Sequence, residues 1–202
     1  MLCSILLLDD SGKHLLVGAA PSLPEFYNNA IDGIDIGMGH GSCGTAAFIN
    51  ERIIVEDIQT HPHWAPYKKL ARKAKLAACW SEPIRATNGD VLGTFAIYHN
   101  KAHYPTEANF MALAQTADLA SIAIEKKQAA LKLKSSENRL RLALAVTKHA
   151  WFDLNVQTGE VLTSPEYSIL LGYDSSKFRS DLQGWQDSLH PDDHNRVMAA
   201  YR

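Results

Sequence analysis

The 202-residue sequence lacks an excess of charge of either sign. It contains 20 basic and 22 acidic residues, which gives a net charge of −2. A surface that binds nucleic acid needs clustered basic residues in excess. We therefore expect no nucleic-acid partner.

Long uncharged apolar runs are also missing, although 46% of the residues are hydrophobic. A helix that spans a bilayer needs about 20 consecutive apolar residues. The first residues, MLCSILLLDD, place no basic segment ahead of a long apolar stretch, unlike a secretory signal. These absences predict a chain with no membrane span and no secretory leader.

Cysteine is scarce and widely spaced. The sequence has three, at Cys3, Cys43 and Cys79. Disulfide-stabilised small domains carry many more, so this usage is typical of free thiols in a reducing compartment. We expect a cytoplasmic protein.

One glycine-rich stretch has the spacing of a dinucleotide-binding fingerprint. Gly39, Gly41 and Gly44 in GMGHGSCGTAAF spell G-x-G-x-x-G. That fingerprint requires a buried strand before it and a full crossover helix after it. Here the preceding residues contain two Asp, and only a few residues separate Gly44 from the strand-like run ERIIVED. The glycines are therefore expected to serve another purpose.

Two β-hairpins are predicted in the first half of the chain. Apolar runs flank Asp-Asp-Ser-Gly, with Gly12 free to take a positive φ, and a second pair flanks Asn88-Gly89. RIIVEDI reads as a further strand, and PEFYNNAI, after Pro24, as a short helix. Because hairpins dominate, an antiparallel sheet flanked by helices is the expected architecture, an α+β class.

A helix of about 40 residues is predicted to begin after Pro105, with Thr106 as its N-cap. The apolar residues of its first part recur at 3-4 spacing and form one face, which comprises Phe110, Leu113, Ala117, Ala120 and Ile124. This set is called the seam below. Lys127 and Lys134 continue the seam and weaken any coiled coil there. We expect the chain to form a homodimer through this helix, along the seam ahead of Lys127.

A second, smaller domain is predicted after the long helix. Two short strands flank Thr158-Gly159, SPEYSILLGY forms a short helix that ends at Gly172, and a further helix follows Pro191. The predicted second domain therefore contains one β-hairpin, and an isolated two-stranded hairpin is only marginally stable.

Together these segments resemble two families. GHGSCGTAAF, IIVEDIQTHPHW, ACWSEPI and GDVLGTFAIYH occur in the order typical of GAF domains of bacterial sensor kinases and GGDEF/EAL cyclic-di-GMP signalling proteins. AWFDLNVQTGEV, LLGY and LHPDDHNRV resemble the first half of a PAS domain. The resemblance implies a GAF-like domain over residues 1–126 without its usual first helix, a connecting helix over 127–138, and an incomplete PAS-like half over 139–202.

The GAF resemblance also implies a ligand pocket near the glycine-rich turn. In that family the turn leads into a short helix beside the pocket, with Ser42 as the N-cap and Gly44 allowing the helix to lie close to the sheet. The candidate pocket residues are Cys43, Thr45, Asp57, Trp64, Cys79 and Trp80. The ligand is expected to be a small molecule whose identity the sequence does not specify, and no cofactor can be named.

Other kinds of site known in this family, or suggested by single motifs, fit the sequence less well. Cyclic-nucleotide-binding GAF domains carry a Phe and, shortly after it, an Asp-Glu pair. Here Phe110 matches the Phe, but Ala114 and Gln115 stand at the positions of the acidic pair, so no cyclic-nucleotide site is predicted. His61-Pro62-His63 lacks a third donor at a known metal spacing, so no metal site is predicted.

The remaining alternative is an enzyme. Free methionine-sulfoxide reductases of the GAF family carry a Cys-Gly like Cys43-Gly44 and a Ser-Glu like Ser81-Glu82, but they also need a loop cysteine that HPHWAPYKK lacks. The expected function is therefore a non-catalytic sensory module, with the thiol-dependent reductase as the alternative.

Overall fold

The computed structural model describes residues 2–146, 149–155, 157–174, 178, 181–187 and 189–201. The chain divides into two compact units, Met1–Ala130 and Leu131–Arg202. In the part of the chain that is described, no helix has both the length and the apolar composition to cross a bilayer.

The first unit is built on a six-stranded antiparallel sheet. Its strands are β1 (Leu2–Leu8), β2 (His14–Ala19), β3 (Ile34–Asp35), β4 (Ile53–Val55), β5 (Ala78–Arg85) and β6 (Val91–His99). They lie in the order β3-β2-β1-β6-β5-β4, and every neighbouring pair is antiparallel. The α+β prediction is confirmed, and so are both hairpins: Gly12 and Gly89 take φ values of +70° and +90° in their turns.

One face of the sheet is covered by short helices. These are α1 (Glu25–Ile31), α2 (Gly41–Ile49), a 3₁₀ turn (Pro62–Trp64) and α3 (Lys68–Lys73). Side chains of β1, β5 and β6 that point to this face, such as Leu6, Cys79 and Tyr98, form one core with Tyr27 of α1 and Cys43 of α2. We call this side the cavity face.

The other face of the sheet is covered by α4 (Glu107–Val146), which is 40 residues long, as predicted. Thr106 donates from its backbone N–H and its hydroxyl to Asn109 Oδ1, and its Oγ1 accepts the Asn109 N–H at 3.4 Å, which fits its predicted role at the start of the helix. The core on this side, which we call the helix face, joins Trp80, Ile84, Phe95 and Ile97 of the sheet to Leu113, Ala117 and Ala120 of α4.

The predicted seam therefore packs on the sheet. Leu113 and Ala117 are buried, Ala120 is 9% exposed, and Ile124 packs against the same core. The expectation that a second copy uses the seam is wrong, because one broad sheet face is enough to bury the first turns of α4. A different face of α4 is exposed, on which Leu119 and Ile122 are 67% and 63% exposed.

The second unit contains the last part of α4 and a small α/β arrangement. Strands β7 (Phe152–Leu154) and β8 (Val161–Thr163) pair antiparallel around the turn at Gly159, where φ is +73°. Helices α5 (Pro165–Leu170), α6 (Leu182–Asp187) and α7 (Pro191–Tyr201) follow. Gly172 ends α5 with φ of +81°, and the Tyr173 N–H returns to the Ser168 carbonyl, so the predicted C-cap is confirmed.

Candidate functional site

A small cavity lies on the cavity face of the first unit, between α1, α2, the 3₁₀ turn and the sheet. Its free volume is about 20 Å³, which is room for about one water molecule. Its walls are mainly aromatic and aliphatic and comprise Leu6, Tyr27, Ile31, Ile34, His40, Gly41, Ser42, Cys43, Trp64, Tyr67 and Tyr98. The cavity is small and partly open, so a molecule larger than water would fit only if part of this wall moved.

The glycine-rich turn brings α2 to the cavity. Gly39 and Gly41 take φ values of +86° and +65°, which L side chains rarely adopt. A Cβ at Gly44 would lie 2.5 Å from the Asp35 carbonyl oxygen and 2.7 Å from the His40 Cβ. The three glycines therefore allow a tight turn and a close approach of backbone, and the structure gives the fingerprint spacing a packing explanation.

Ser42 links α2 to two other elements. Its Oγ accepts a 2.9 Å hydrogen bond from the Trp64 indole N–H and donates to the Cys79 carbonyl at 3.3 Å. The predicted N-cap role of Ser42 is wrong, because Gly41 already begins the helix and His40 is the N-cap residue. Ser42 instead connects the 3₁₀ turn and β5 through the first turn of α2.

Of the six predicted pocket residues, Cys43 and Trp64 line the cavity. Cys79 belongs to the same buried core as Cys43, and the two thiols are close enough to influence each other's ionisation. Both thiols are buried, and the Cys43 Sγ also lies 3.8 Å from the Tyr98 hydroxyl. Cys43, Trp64 and Cys79 therefore lie in one core on the same side of the sheet, and their role in binding a ligand stays a prediction.

The other three predicted pocket residues lie elsewhere. Thr45 is buried but turned into its own helix, where its hydroxyl donates to the Gly41 carbonyl at 2.7 Å. Asp57 caps the turn after β4, accepting the Gln59 N–H at 2.8 Å. Trp80 points to the helix face, because successive residues of a strand alternate between faces.

The sequence did not reveal the tyrosines of the cavity. Tyr27 and Tyr98 meet edge to face with ring centroids 6.0 Å apart, and Trp64 and Tyr67 do the same at 6.4 Å. Tyr67 also hydrogen-bonds through its hydroxyl to His40 Nδ1 at 3.2 Å. The alternation along β6 would have identified Tyr98, but Tyr27 and Tyr67 come from separate helical segments that only the tertiary fold brings together.

A buried ion-pair cluster occupies the helix face. Glu82 is 6% exposed and accepts hydrogen bonds from Arg52 and, at 3.4 Å, from Arg85. The Arg52 guanidinium also stacks over the Phe110 ring of α4 at 5.1 Å. Ser81 and Glu82, adjacent in sequence, therefore point to opposite faces, and Glu82 is separated from Cys43 by the sheet.

The histidine pair that could suggest a metal forms a local turn. The His61 Nδ1 accepts the His63 backbone N–H at 3.2 Å, and the two ring centroids are 4.8 Å apart. Partial burial, with the neighbouring His63 and Lys68 charges, lowers the pKa of His61. Within the described ranges, no three His, Cys, Asp or Glu residues come together as a metal-binding group.

Comparison with known proteins adds a family match and a relative. A family model described as a GAF domain matches residues 1–125. The methyl sulfide methyltransferase-associated sensor of Methanosarcina acetivorans is 44% identical to this chain over 141 residues. That alignment covers 70% of this chain and 14% of the relative, so the chain spans a small part of the relative's length.

Solved structures share the fold. A domain of a protein described as a two-component sensor histidine kinase from Sinorhizobium meliloti superposes with a TM-score of 0.54 at 24% identity, covering 66% of this chain and 85% of that one. The GAF domain of an Acinetobacter phosphoenolpyruvate-protein phosphotransferase superposes with a TM-score of 0.51 at 18% identity, covering 65% and 74%. At these identities the likeness concerns the fold alone.

Proposed function

We propose a sensory function for this chain, which belongs to the GAF domain family. The family match over residues 1–125 confirms the GAF resemblance found in the sequence, and the PAS resemblance stays a prediction. A relative at 44% identity is named a sensor, which supports a signalling role. In our proposal the chain is not itself catalytic and serves a bacterial-type two-component or cyclic-di-GMP signalling protein in the cytoplasm.

The observation that carries the proposal is the aromatic-lined cavity, part of whose wall is held by the Trp64–Ser42 hydrogen bond. We infer that its ligand is a small uncharged molecule. Among the described residues, no Lys, Arg, Asp or Glu lines the cavity, and its polar atoms are the hydroxyls, the Cys43 thiol and the His40 ring. A charged ligand would leave water without a compensating partner there, which is costly.

Ligand entry requires the 3₁₀ turn to move. Trp64 is buried and contacts the cavity, and the turn that carries it lies between β4 and α3 rather than within the sheet. Opening would separate the Trp64 indole from Ser42. The proposed signal is thus a shift between a closed state and a ligand-bound, opened state of this turn.

The sheet offers a route from the cavity to α4. Cys79 faces the cavity side and its neighbour Trp80 faces α4. The Trp80 indole N–H donates to the His103 carbonyl at 3.1 Å, in the segment that leads into α4. A displacement of β5 beneath the cavity would therefore reach the start of α4 through one strand.

We propose that residues 1–126 are the GAF-like sensory domain, 127–138 a connecting helix and 139–202 a PAS-like half-domain. The hairpin of β7 and β8, followed by short helices, supports the PAS-like part. Hydrogen exchange on the whole chain tests it: weak protection in β7 and β8 beside strong protection in β5 and β6 is expected. Equal protection in both hairpins would contradict an incomplete second domain.

We also propose a parallel homodimer through α4, along the face that the sheet leaves exposed. Exposed residues of this face recur at 3-4 spacing and comprise Leu119, Ile122, Lys126, Ala129, Leu133, Ser136 and Leu140. In a parallel pair with this register, Lys132 of one copy would face Glu137 of the other, an attractive contact. The occupant of this face is accordingly a second copy of the chain.

The ligand proposal is tested with probes of two kinds. Indole and p-cresol are uncharged aromatic molecules, and cyclic AMP and cyclic GMP are charged nucleotides. Only the uncharged probes should raise the thermal midpoint of the parent, since a ligand stabilises the state that binds it. A shift with the nucleotides alone would overturn the proposed ligand class.

A matched pair of variants locates the binding. Ile34→Phe adds volume at the cavity wall, whereas Leu16→Phe adds the same ring at an exposed position of β2. The first should abolish the shift and the second should preserve it. Equal shifts in both variants would place the probe outside the cavity.

A further inference from the structure

Two of the three cysteines are held together inside the first unit. Cys43 comes from α2 and Cys79 from β5, and both are buried on the cavity face. Ser42, next to Cys43, donates to the Cys79 carbonyl at 3.3 Å, the two thiols influence each other's ionisation, and Cys43 also lines the cavity. Cys3 lies on the helix face and packs against the other core, so it is separated from the pair by the sheet.

The surroundings of the pair are polar, which a pair of cysteines serving only as small apolar residues would not require. The hydroxyls of Ser81, Thr94 and Tyr98 interact with the Cys43 thiol. In the part of the chain described here, Ser81 Oγ and Thr94 Oγ1 are buried without a hydrogen-bond partner. Buried hydroxyls without such a partner are costly unless another group accepts their hydrogen. A thiolate at Cys43 would supply that acceptor, because both hydroxyls lie beside the Cys43 thiol.

The two sulfurs have different environments. The hydrogen bond from Cys79, followed by those from Ser81, Thr94 and Tyr98, lowers the pKa of Cys43 to about 7. Burial raises the pKa of Cys79 well above its ordinary value. One member of the pair is thus the more readily ionised and the other stays a thiol, which is the combination of an attacking and a resolving cysteine.

We propose that Cys43 and Cys79 form an oxidisable thiol pair that closes to an intramolecular disulfide when the chain meets a peroxide. The Cys43 thiolate attacks one peroxide oxygen, the O–O bond breaks, an S–O bond forms, and the departing oxygen leaves as water after protonation. The Cys79 sulfur then attacks the Cys43 sulfur, the S–S bond forms, and the second oxygen leaves as water. Overall two thiols lose two electrons and two protons, and hydrogen peroxide becomes two waters.

The disulfide would connect α2 covalently to β5 at the wall of the cavity. In the reduced chain the only side-chain hydrogen bond joining the first turn of α2 to the β5 backbone at this point, among the described residues, runs from Ser42 to the Cys79 carbonyl. Oxidation would fix that junction and change the cavity wall at Cys43. The oxidation itself does not depend on the proposed ligand, so a failed ligand test leaves it standing.

The experiment treats the reduced full chain with hydrogen peroxide at low protein concentration, then alkylates the remaining thiols under denaturing conditions. Peptide mass spectrometry should recover a Cys43–Cys79 cross-link, with Cys3 alkylated in the same sample as an internal control. Oxidation of Cys3 while Cys43 and Cys79 remain alkylated would overturn the proposal. This measurement on the parent needs no variant to fold.

Variants separate the roles of the two sulfurs. Cys79→Ser removes the resolving thiol, so a dimedone adduct of the Cys43 sulfenic acid should accumulate. Cys43→Ser should abolish both the adduct and the cross-link, while Cys3→Ser should leave the cross-link at the parental yield. A dimedone adduct on Cys79 in Cys43→Ser, at the yield that Cys43 gives in Cys79→Ser, would overturn the assignment of Cys43 as the attacking sulfur.

Discussion

The indole N–H of Trp64 donates a 2.9 Å hydrogen bond to the Oγ of Ser42, which in turn donates to the Cys79 carbonyl. This chain of two bonds joins the 3₁₀ turn, the first turn of α2 and β5. Because Trp64 and Ser42 both line the cavity, the same contact forms part of the cavity wall and holds the turn in place. Ligand access and local stability therefore depend on one pair of side chains.

Replacing Trp64 with Phe should destabilise the first unit by about 1–3 kcal/mol, since it removes one buried hydrogen bond and leaves part of the indole volume empty. Urea denaturation measures the change. Ser42→Ala should lower the free energy of unfolding by less in the Trp64→Phe background than in the parent, because the hydrogen bond between the two side chains is already lost there. Strictly additive losses would show that the two side chains are not energetically coupled.

Gly44→Ala should destabilise the chain by about 1–3 kcal/mol through overpacking. The added Cβ would meet the Asp35 carbonyl oxygen, which is backbone and cannot rotate away. Gly39→Ala is the matched control: nothing lies within 4 Å of its Cβ, and only its φ of +86° opposes the change, at about 1 kcal/mol. Chemical denaturation of both variants should rank Gly44→Ala as the more damaging, and the reverse order would contradict the packing explanation of the turn.

Local signals made much of this fold predictable. The hairpin turns at Gly12 and Gly89 and the long helix after Thr106 depend on residues close in sequence, and all three are found. The side of the sheet that each side chain faces is harder to predict. Seven of the eight residues of β5 are buried, so no alternation of polar and apolar residues distinguishes its two sides. The sequence alone therefore predicts Trp80 in the pocket and the α4 seam in a dimer, whereas both pack in the core of the helix face.

The cavity was predictable only in part, for the same reason. The positions of Cys43, Trp64 and Cys79 near the cavity can be predicted from the motifs that contain them. The tyrosines that complete the wall come from α1, the residue before α3, and β6, which only the tertiary fold brings together. Ser42 is predicted as the N-cap because Ser favours that position. In the structure α2 already begins at Gly41, two residues before the predicted first helical residue, and the Ser42 hydroxyl accepts the Trp64 indole N–H.

Arg52→Ala should destabilise the chain by about 3 kcal/mol, because it leaves the buried Glu82 carboxylate with Arg85 alone at 3.4 Å. The substitution also removes the guanidinium from the Phe110 ring. Adding Glu82→Gln removes the uncompensated charge, so the double variant should be more stable than Arg52→Ala alone. Thermal and urea denaturation test the order, and a double variant less stable than the single one would show that charge burial is not the cause.

Oxidation of the thiol pair should depend on pH through Cys43. Its pKa is lowered to about 7, so the reactive thiolate predominates above that pH and is lost as the pH falls below it. Burial raises the pKa of Cys79 and of Tyr98, which therefore stay neutral across this range. The initial rate of cross-link formation with hydrogen peroxide, measured from pH 5.5 to 9, should rise with a midpoint near 7. A midpoint near 9 would mean that the surrounding hydrogen bonds do not activate Cys43.

The proposed dimer is tested by two neighbouring positions on α4. Leu119 is 67% exposed, whereas Ala120 is 9% exposed and packs on the sheet. Leu119→Glu should therefore keep the stability of the parent within about 0.5 kcal/mol, as is usual for surface substitutions, and should shift the chain to monomer. Its carboxylates would face each other in a parallel pair, at a position where the dimer needs an apolar side chain.

Ala120→Glu should instead destabilise the fold, because it forces a carboxylate into the core of the helix face without a partner. Sedimentation velocity of the parent and Leu119→Glu, at several concentrations up to the high micromolar range, measures association, and urea denaturation of both variants measures stability. Monomer at every concentration in the parent would remove the dimer proposal. Dimer in Leu119→Glu at the parental affinity would show that association uses a different face of the molecule.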